Sequence, residues 1–122
     1  MRITRFEDIE AWKDARALSQ TLIDAIGDSG KFKDPNLVQQ IRNCVDSAMA
    51  NIVEGFDSGT DKEFVRFLKM AYRSVSELQS HLYFALDSKF LNKQSFDAIY
   101  SQAQGTKARI GGFMRYLKKP KG

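Results

Sequence analysis

Apolar residues recur in steps of three and four along four separate stretches of this chain, and that recurrence constrains its fold more than any other feature. Such steps return to one face of an α-helix, whereas a half-buried strand requires alternation by two. The only prolines are Pro35 and Pro120, and no β-branched alternation of useful length occurs, so the reading is helical throughout. The first helix is expected from about Phe6 to Ile26, with Ile9, Trp12, Ala15, Leu18, Leu22 and Ile26 facing inward and Gly27-Asp28-Ser29-Gly30 as its stop. Asp34 can cap the second helix, and Pro35 sits at the first helical position, where a missing N–H is harmless. Its inner face is Leu37, Ile41, Val45, Ala48, Ile52 and Phe56, and it should end between Gly55 and Gly59. Thr60-Asp61-Lys62-Glu63 reads as a capping box in which Thr60 and Glu63 satisfy each other's backbone N–H groups. The third helix then carries Phe64, Phe67, Ala71, Val75, Leu78, Leu82 and Ala85, and Asn92 can cap a fourth with Phe96, Ile99, Ala103, Thr106, Ile110, Phe113 and Leu117.

Four amphipathic helices on short connections bury their stripes most simply as an all-α, antiparallel up-and-down four-helix bundle. The 122 residues suit one domain over 1–122, without internal repeat or low-complexity tract. At this size folding hides about two-thirds of the surface of the unfolded chain, so neither disulfide nor metal is needed for stability. The lone Cys44 cannot form an internal bridge, which fits a reducing compartment. The opening Met1 to Glu7 lacks an apolar signal core, and the longest apolar run, Leu82 to Leu86, is too short to cross a bilayer. A cytoplasmic protein with no membrane partner is the expectation. Gly111 and Gly112 interrupt the fourth helix, which predicts a kink or a close helix approach there, or else fraying of the basic tail 118–122.

Charge is unevenly placed. Residues 88–122 hold eight basic side chains against Asp97 alone, and from Lys107 onward there are six Lys or Arg and no acid. That distribution suits a polyanionic partner such as nucleic acid, with a solvated tail as the alternative. On the third helix Lys62, Arg66, Lys69 and Arg73 fall in a narrow arc opposite the core stripe. They can follow a phosphate backbone together with Lys107, Arg109, Arg115, Lys118 and Lys119. Ordinary solvation, with Arg73 paired to Glu77, is the competing reading. Tyr116 is the one obvious stacking residue beside these charges, so contacts mainly to phosphates and little sequence discrimination are expected.

The third helix is apolar over more of its circumference than one core needs. Val65, Tyr72, Ser76, Gln79 and Tyr83 flank the stripe and Phe84 lies outside it, so Val65, Tyr72, Tyr83 and Phe84 are candidates for a contact between subunits. On the second helix Asn43, Ser47, Ala50, Asn51 and Glu54 form a small or polar face, which either allows close helix approach or meets water.

Side chains able to carry chemistry are few. One histidine and one cysteine leave few nucleophile and base pairs, and Cys44 at the margin of an apolar stripe reads as a core thiol. Glu77 and His81 stand four apart, whereas di-iron bundles need Glu-x-x-His twice and two further glutamates. Ser29-Gly30-Lys31 lacks the first glycine of a phosphate loop, since Ala25 occupies that position. No catalytic residue, metal or cofactor is expected, and the chain reads as a non-enzyme.

Three blocks carry a resemblance. Phe6-Glu7-Asp8-Ile9-Glu10-Ala11-Trp12-Lys13-Asp14-Ala15 is one, and Gln40-Ile41-Arg42 through Asn51-Ile52-Val53-Glu54-Gly55-Phe56 is the second. Lys62-Glu63-Phe64-Val65-Arg66-Phe67-Leu68, followed by Ala71, Ser74, Glu77 and Leu78, is the third. In this order and spacing they resemble the 23S ribosomal RNA intervening-sequence proteins. Asn43, Asp46 and Val53 depart from that pattern, and the acidic Asp46 argues against a nucleic-acid surface on the second helix. The resemblance implies a ring of five identical bundles, a link to RNA through gene location, and no established reaction. A related branch, the accessory proteins of diversity-generating retroelements, implies binding to a protein and to nucleic acid. The matching motifs make Asn51, Glu54, Arg66 and Glu77 the candidates for a structural polar network, in which Glu54, if it is buried, requires a partner such as Arg66. The expected function is a non-enzymatic, homopentameric nucleic-acid-binding module acting on RNA. A protein-interaction scaffold without nucleic-acid binding is the alternative.

Overall fold

Asp34, Thr60 and Asn92 each turn a side-chain oxygen onto a backbone N–H three residues ahead, and these caps set where three helices begin. The Leu37 N–H donates to Asp34 Oδ1 at 3.0 Å, the Glu63 N–H to Thr60 Oγ1 at 3.2 Å and the Ser95 N–H to Asn92 Oδ1 at 2.8 Å. The computed structural model describes residues 3–26 and 33–120, and among these it holds four helices and no strand. Helix α1 is Glu10–Ile26, α2 Pro35–Asp57, α3 Asp61–Asp87 and α4 Lys93–Lys118. The expected stop at Gly27 to Gly30, and Ser29-Gly30-Lys31, lie outside the described residues.

The first helix is shorter than its apolar pattern suggests. Phe6–Asp8 forms a separate 3-10 turn and Ile9 adopts an extended conformation before α1 starts. Packing accounts for the break: Ile9 is 1% exposed in the core, and Phe6 sets its ring edge-on to Trp12 at 5.0 Å. The capping box at α3 is half formed, because Glu63 gives its carboxylate to Arg66 rather than back to the Thr60 N–H. At the far end of α3, Lys89 takes a left-handed φ of 66° and lets the Phe90 N–H donate to the Ala85 carbonyl at 2.9 Å.

Each helix packs on its neighbours in sequence, and α1 closes the set against α4. Gly55 faces Phe64 while Ser47 faces Ser74, so α2 and α3 run in opposite directions. Phe64 meets Phe113 and Gln79 meets Gln104, so α3 and α4 do the same. The core takes in most of the expected stripes, with Trp12, Phe56, Phe113 and Leu117 packed against it half-buried. It adds Ala11, Leu91 and the fully buried Leu68, which a simple count of threes and fours passes over in favour of the half-buried Phe67. Among the described residues each buried polar side chain has a hydrogen-bond partner. Ser74 bonds Ser47 at 2.9 Å and the Met70 carbonyl at 3.1 Å, Gln79 donates to Gln104, and Thr106 donates to the Gln102 carbonyl.

Helix α2 ends at Asp57, within the expected span, and Gly55 in its last turn packs tightly on α3. A Cβ there would stand 2.6 Å from Phe64 Cδ1 and 3.1 Å from Phe67 Cβ. Gly111 and Gly112 have another character. Helix α4 continues through both, and a Cβ on Gly111 would lie 3.6 Å from Arg115 Nη1 and 3.8 Å from Tyr72 Cε2, which is ordinary contact. The expected close approach at these residues is therefore not what they supply.

Candidate nucleic-acid interface

The first two turns of α3 and the last turn of α4 lie side by side because the two helices are antiparallel. That register brings Lys62, Arg66 and Lys69 to one groove with Lys118, a shallow space of about 540 Å³ with Val65 and Leu117 among its lining. Glu63 and Asp61 line it as well, so the groove is basic without being purely cationic. Arg66 is held in a fork by Glu63, with Nε to the carboxylate at 3.1 and 3.2 Å and Nη2 at 3.0 Å. Its guanidinium also stands 4.5 Å from the Phe67 ring centroid. The hydrogen bond from Arg66 holds the Glu63 carboxyl below the usual range, and the same bond raises the guanidinium.

Lys62, Lys69, Arg73, Lys118 and Lys119 are exposed, and among the described residues none of them makes an ion pair. The expected alternative of Arg73 paired with Glu77 is therefore not formed. Arg115 is exposed near the two glycines of α4. Two of the nine basic candidates are engaged inside the fold instead. Lys107 donates to Ser76 Oγ at 3.2 Å and lies over the Tyr72 ring at 5.1 Å. Arg109 bonds Asp14 Oδ2 at 2.9 Å, which raises its guanidinium and ties α4 to α1.

The flank of α3 is largely covered by α4. Val65 is buried, Tyr72 lies under Lys107, and Gln79 is closed by Gln104. The wide apolar arc is thus used within the chain. Tyr83 and Phe84 remain 49% and 57% exposed, although Tyr83 still packs on Phe96 and Tyr100 at 4.8 and 5.5 Å.

Asn51, Glu54, Arg66 and Glu77 do not form one network. Glu54 and Glu77 are exposed and Arg66 belongs to Glu63, so the candidate network is not assembled and Glu54 is not buried against Arg66. An exposed Glu54 needs no partner, because water already solvates its charge. What joins α2 to α3 is a smaller chain: the Asn51 amide donates to the Ser47 carbonyl at 2.9 Å and to Ser47 Oγ at 3.2 Å, and Ser47 meets Ser74. The run of small polar residues on α2 held that signal, through Ser47 rather than through its carboxylates.

Leu117 also lines a second groove, of about 560 Å³, that the pattern of charges gave no hint of. Ile3, Phe56, Phe64, Phe113 and Tyr116 supply its apolar wall, and Lys119 stands at it. Phe113 and Leu117 continue the core stripe of α4 past the glycines, and Tyr116 stands between them beside the charges; that succession was the available sign. Among the described residues no three His, Cys, Asp or Glu side chains gather as a metal site. No described helix is long and apolar enough to cross a membrane.

A search of curated proteins finds no match to the chain. One family description does match, over a span that takes in α1, α2, α3 and most of α4. Over residues 7–112 the chain fits that description, and it belongs to the 23S rRNA-intervening sequence protein family.

Proposed function

We propose that this chain is a non-enzymatic accessory module that binds RNA through its α3/α4 groove and works in the cytoplasm as a ring of identical up-and-down bundles, most simply a homopentamer. The observation that carries the RNA reading is the meeting of Lys62, Arg66 and Lys69 with Lys118 on one groove, two stretches far apart in sequence. Repulsion among gathered cations is offset when phosphates enter between them, and the released counterions drive the association. A ring repeats the groove around one axis, so modest contacts from each copy add through multivalency.

Titration of a structured RNA at several salt concentrations tests the reading. Affinity should fall linearly on logarithmic axes, and Lys62→Gln, Lys69→Gln and Lys118→Gln together should flatten the slope by about 2 to 3 per chain engaged. Arg66 is left in place because Glu63 holds it. An unchanged slope in the triple variant, or no binding at low salt, overturns the reading. The exposed pair Tyr83 and Phe84 favours the second reading, a protein-interaction scaffold. A protein that stays bound to the wild type in high salt and leaves a Tyr83 and Phe84 variant supports it.

A further inference from the structure

We propose that the end of α4 selects single-stranded RNA, stacking a base on Tyr116 while the adjoining basic groove holds the phosphates; the inference deepens the RNA-binding reading above and rests on it. Tyr116 is 53% exposed in a helix that otherwise turns its aromatic residues inward. It lies nearly parallel to Phe113, with ring centroids 6.3 Å apart and 26° between planes, so the ring is oriented by a neighbour without being covered. An aromatic ring fixed in direction and open to solvent accepts a planar base with little loss of side-chain freedom.

Charge identifies the occupant. Lys119 stands at the apolar groove with Tyr116, and Lys118 at the basic groove with Lys62 and Lys69, while Leu117 lines both. A strand crossing Leu117 meets cations on one side and aromatic carbon on the other. A nucleotide chain carries that same pairing of charged backbone and apolar face in every unit. In a duplex the base faces are stacked on one another and the phosphates alone are offered, so only an unpaired strand satisfies both grooves. The family match ends at residue 112, so Phe113, Tyr116 and Lys118 are read from this chain itself.

The experiment compares an RNA oligomer of about 12 nucleotides, unpaired, with the same strand annealed to its complement, at one low salt concentration. Wild type should favour the single strand. Tyr116→Ala should weaken single-strand binding about tenfold and leave duplex binding and the single-strand salt slope unchanged, and Tyr116→Phe should restore it. Circular dichroism of both variants checks that the exposed substitution leaves the helices intact. Equal losses on both forms, or no loss, overturn the stacking inference and leave phosphate binding standing. If wild type binds neither form, the RNA-binding reading itself fails, and this inference with it.

Discussion

Cys44 sits buried on α2, its thiol pushed up to about 11, first by burial and then by the negative charge of Glu77. Folding therefore favours the neutral thiol. An acid raised in this way ionises first in the unfolded chain, so its contribution is complete below about 9 and is lost as pH climbs to about 11. Denaturant midpoints followed across that window should fall in the wild type and fall less in Cys44→Ala. Other side chains are governed by partners that local sequence does not name. Asp34, Thr60 and Asn92 were legible as caps because their acceptors lie three residues away. Lys107 and Arg109 were legible only as charges, because Ser76 and Asp14 reach them through the packing of helices. Glu63 had two local choices, the Thr60 N–H or Arg66, and a charged fork outweighs a single neutral donor.

At the scale of elements, α2 and α4 use glycine for opposite reasons. Gly55→Ala should destabilise by about 1 to 3 kcal/mol, because overpacking against the fixed Phe67 Cβ exceeds the gain in helix propensity. Gly105, where an added methyl would find nothing within 4 Å, should gain up to about 1 kcal/mol on Gly105→Ala. Thermal melts of the two variants check both signs, and a loss at Gly105 would mean that a neighbouring copy fills that space. Helix identity was readable because four stripes keep their phase over many turns, and α1 departs only where Ile9 turns inward in an extended conformation. The pairing of Lys62 with Lys118 was not readable in the same way. It depends on the register between α3 and α4, which the connection at 88–92 and the left-handed Lys89 set.

For the whole molecule, assembly is the property to measure first. Tyr83→Glu with Phe84→Glu should keep the helical signal and lower the mass seen by light scattering if these rings lie between copies, while a wild type of monomer mass at micromolar concentration removes the ring. The basic groove lies toward the other end of α3, so this variant should also bind RNA with unchanged affinity per chain at one groove. The order of assembly within one chain follows from the connection between α2 and α3, which is only residues 58–60. A loop that short loses little entropy on closing, and the two helices it joins share the serine contact and the glycine crossing. That hairpin is therefore expected to form first, with α1 docking after the barrier. Both Ile52 and Leu22 are almost wholly buried, yet their truncations should divide differently between the two arms of a chevron. Ile52→Val should slow folding, Leu22→Ala should chiefly hasten unfolding, and a chain that meets heat or denaturant should release α1 before it releases the hairpin.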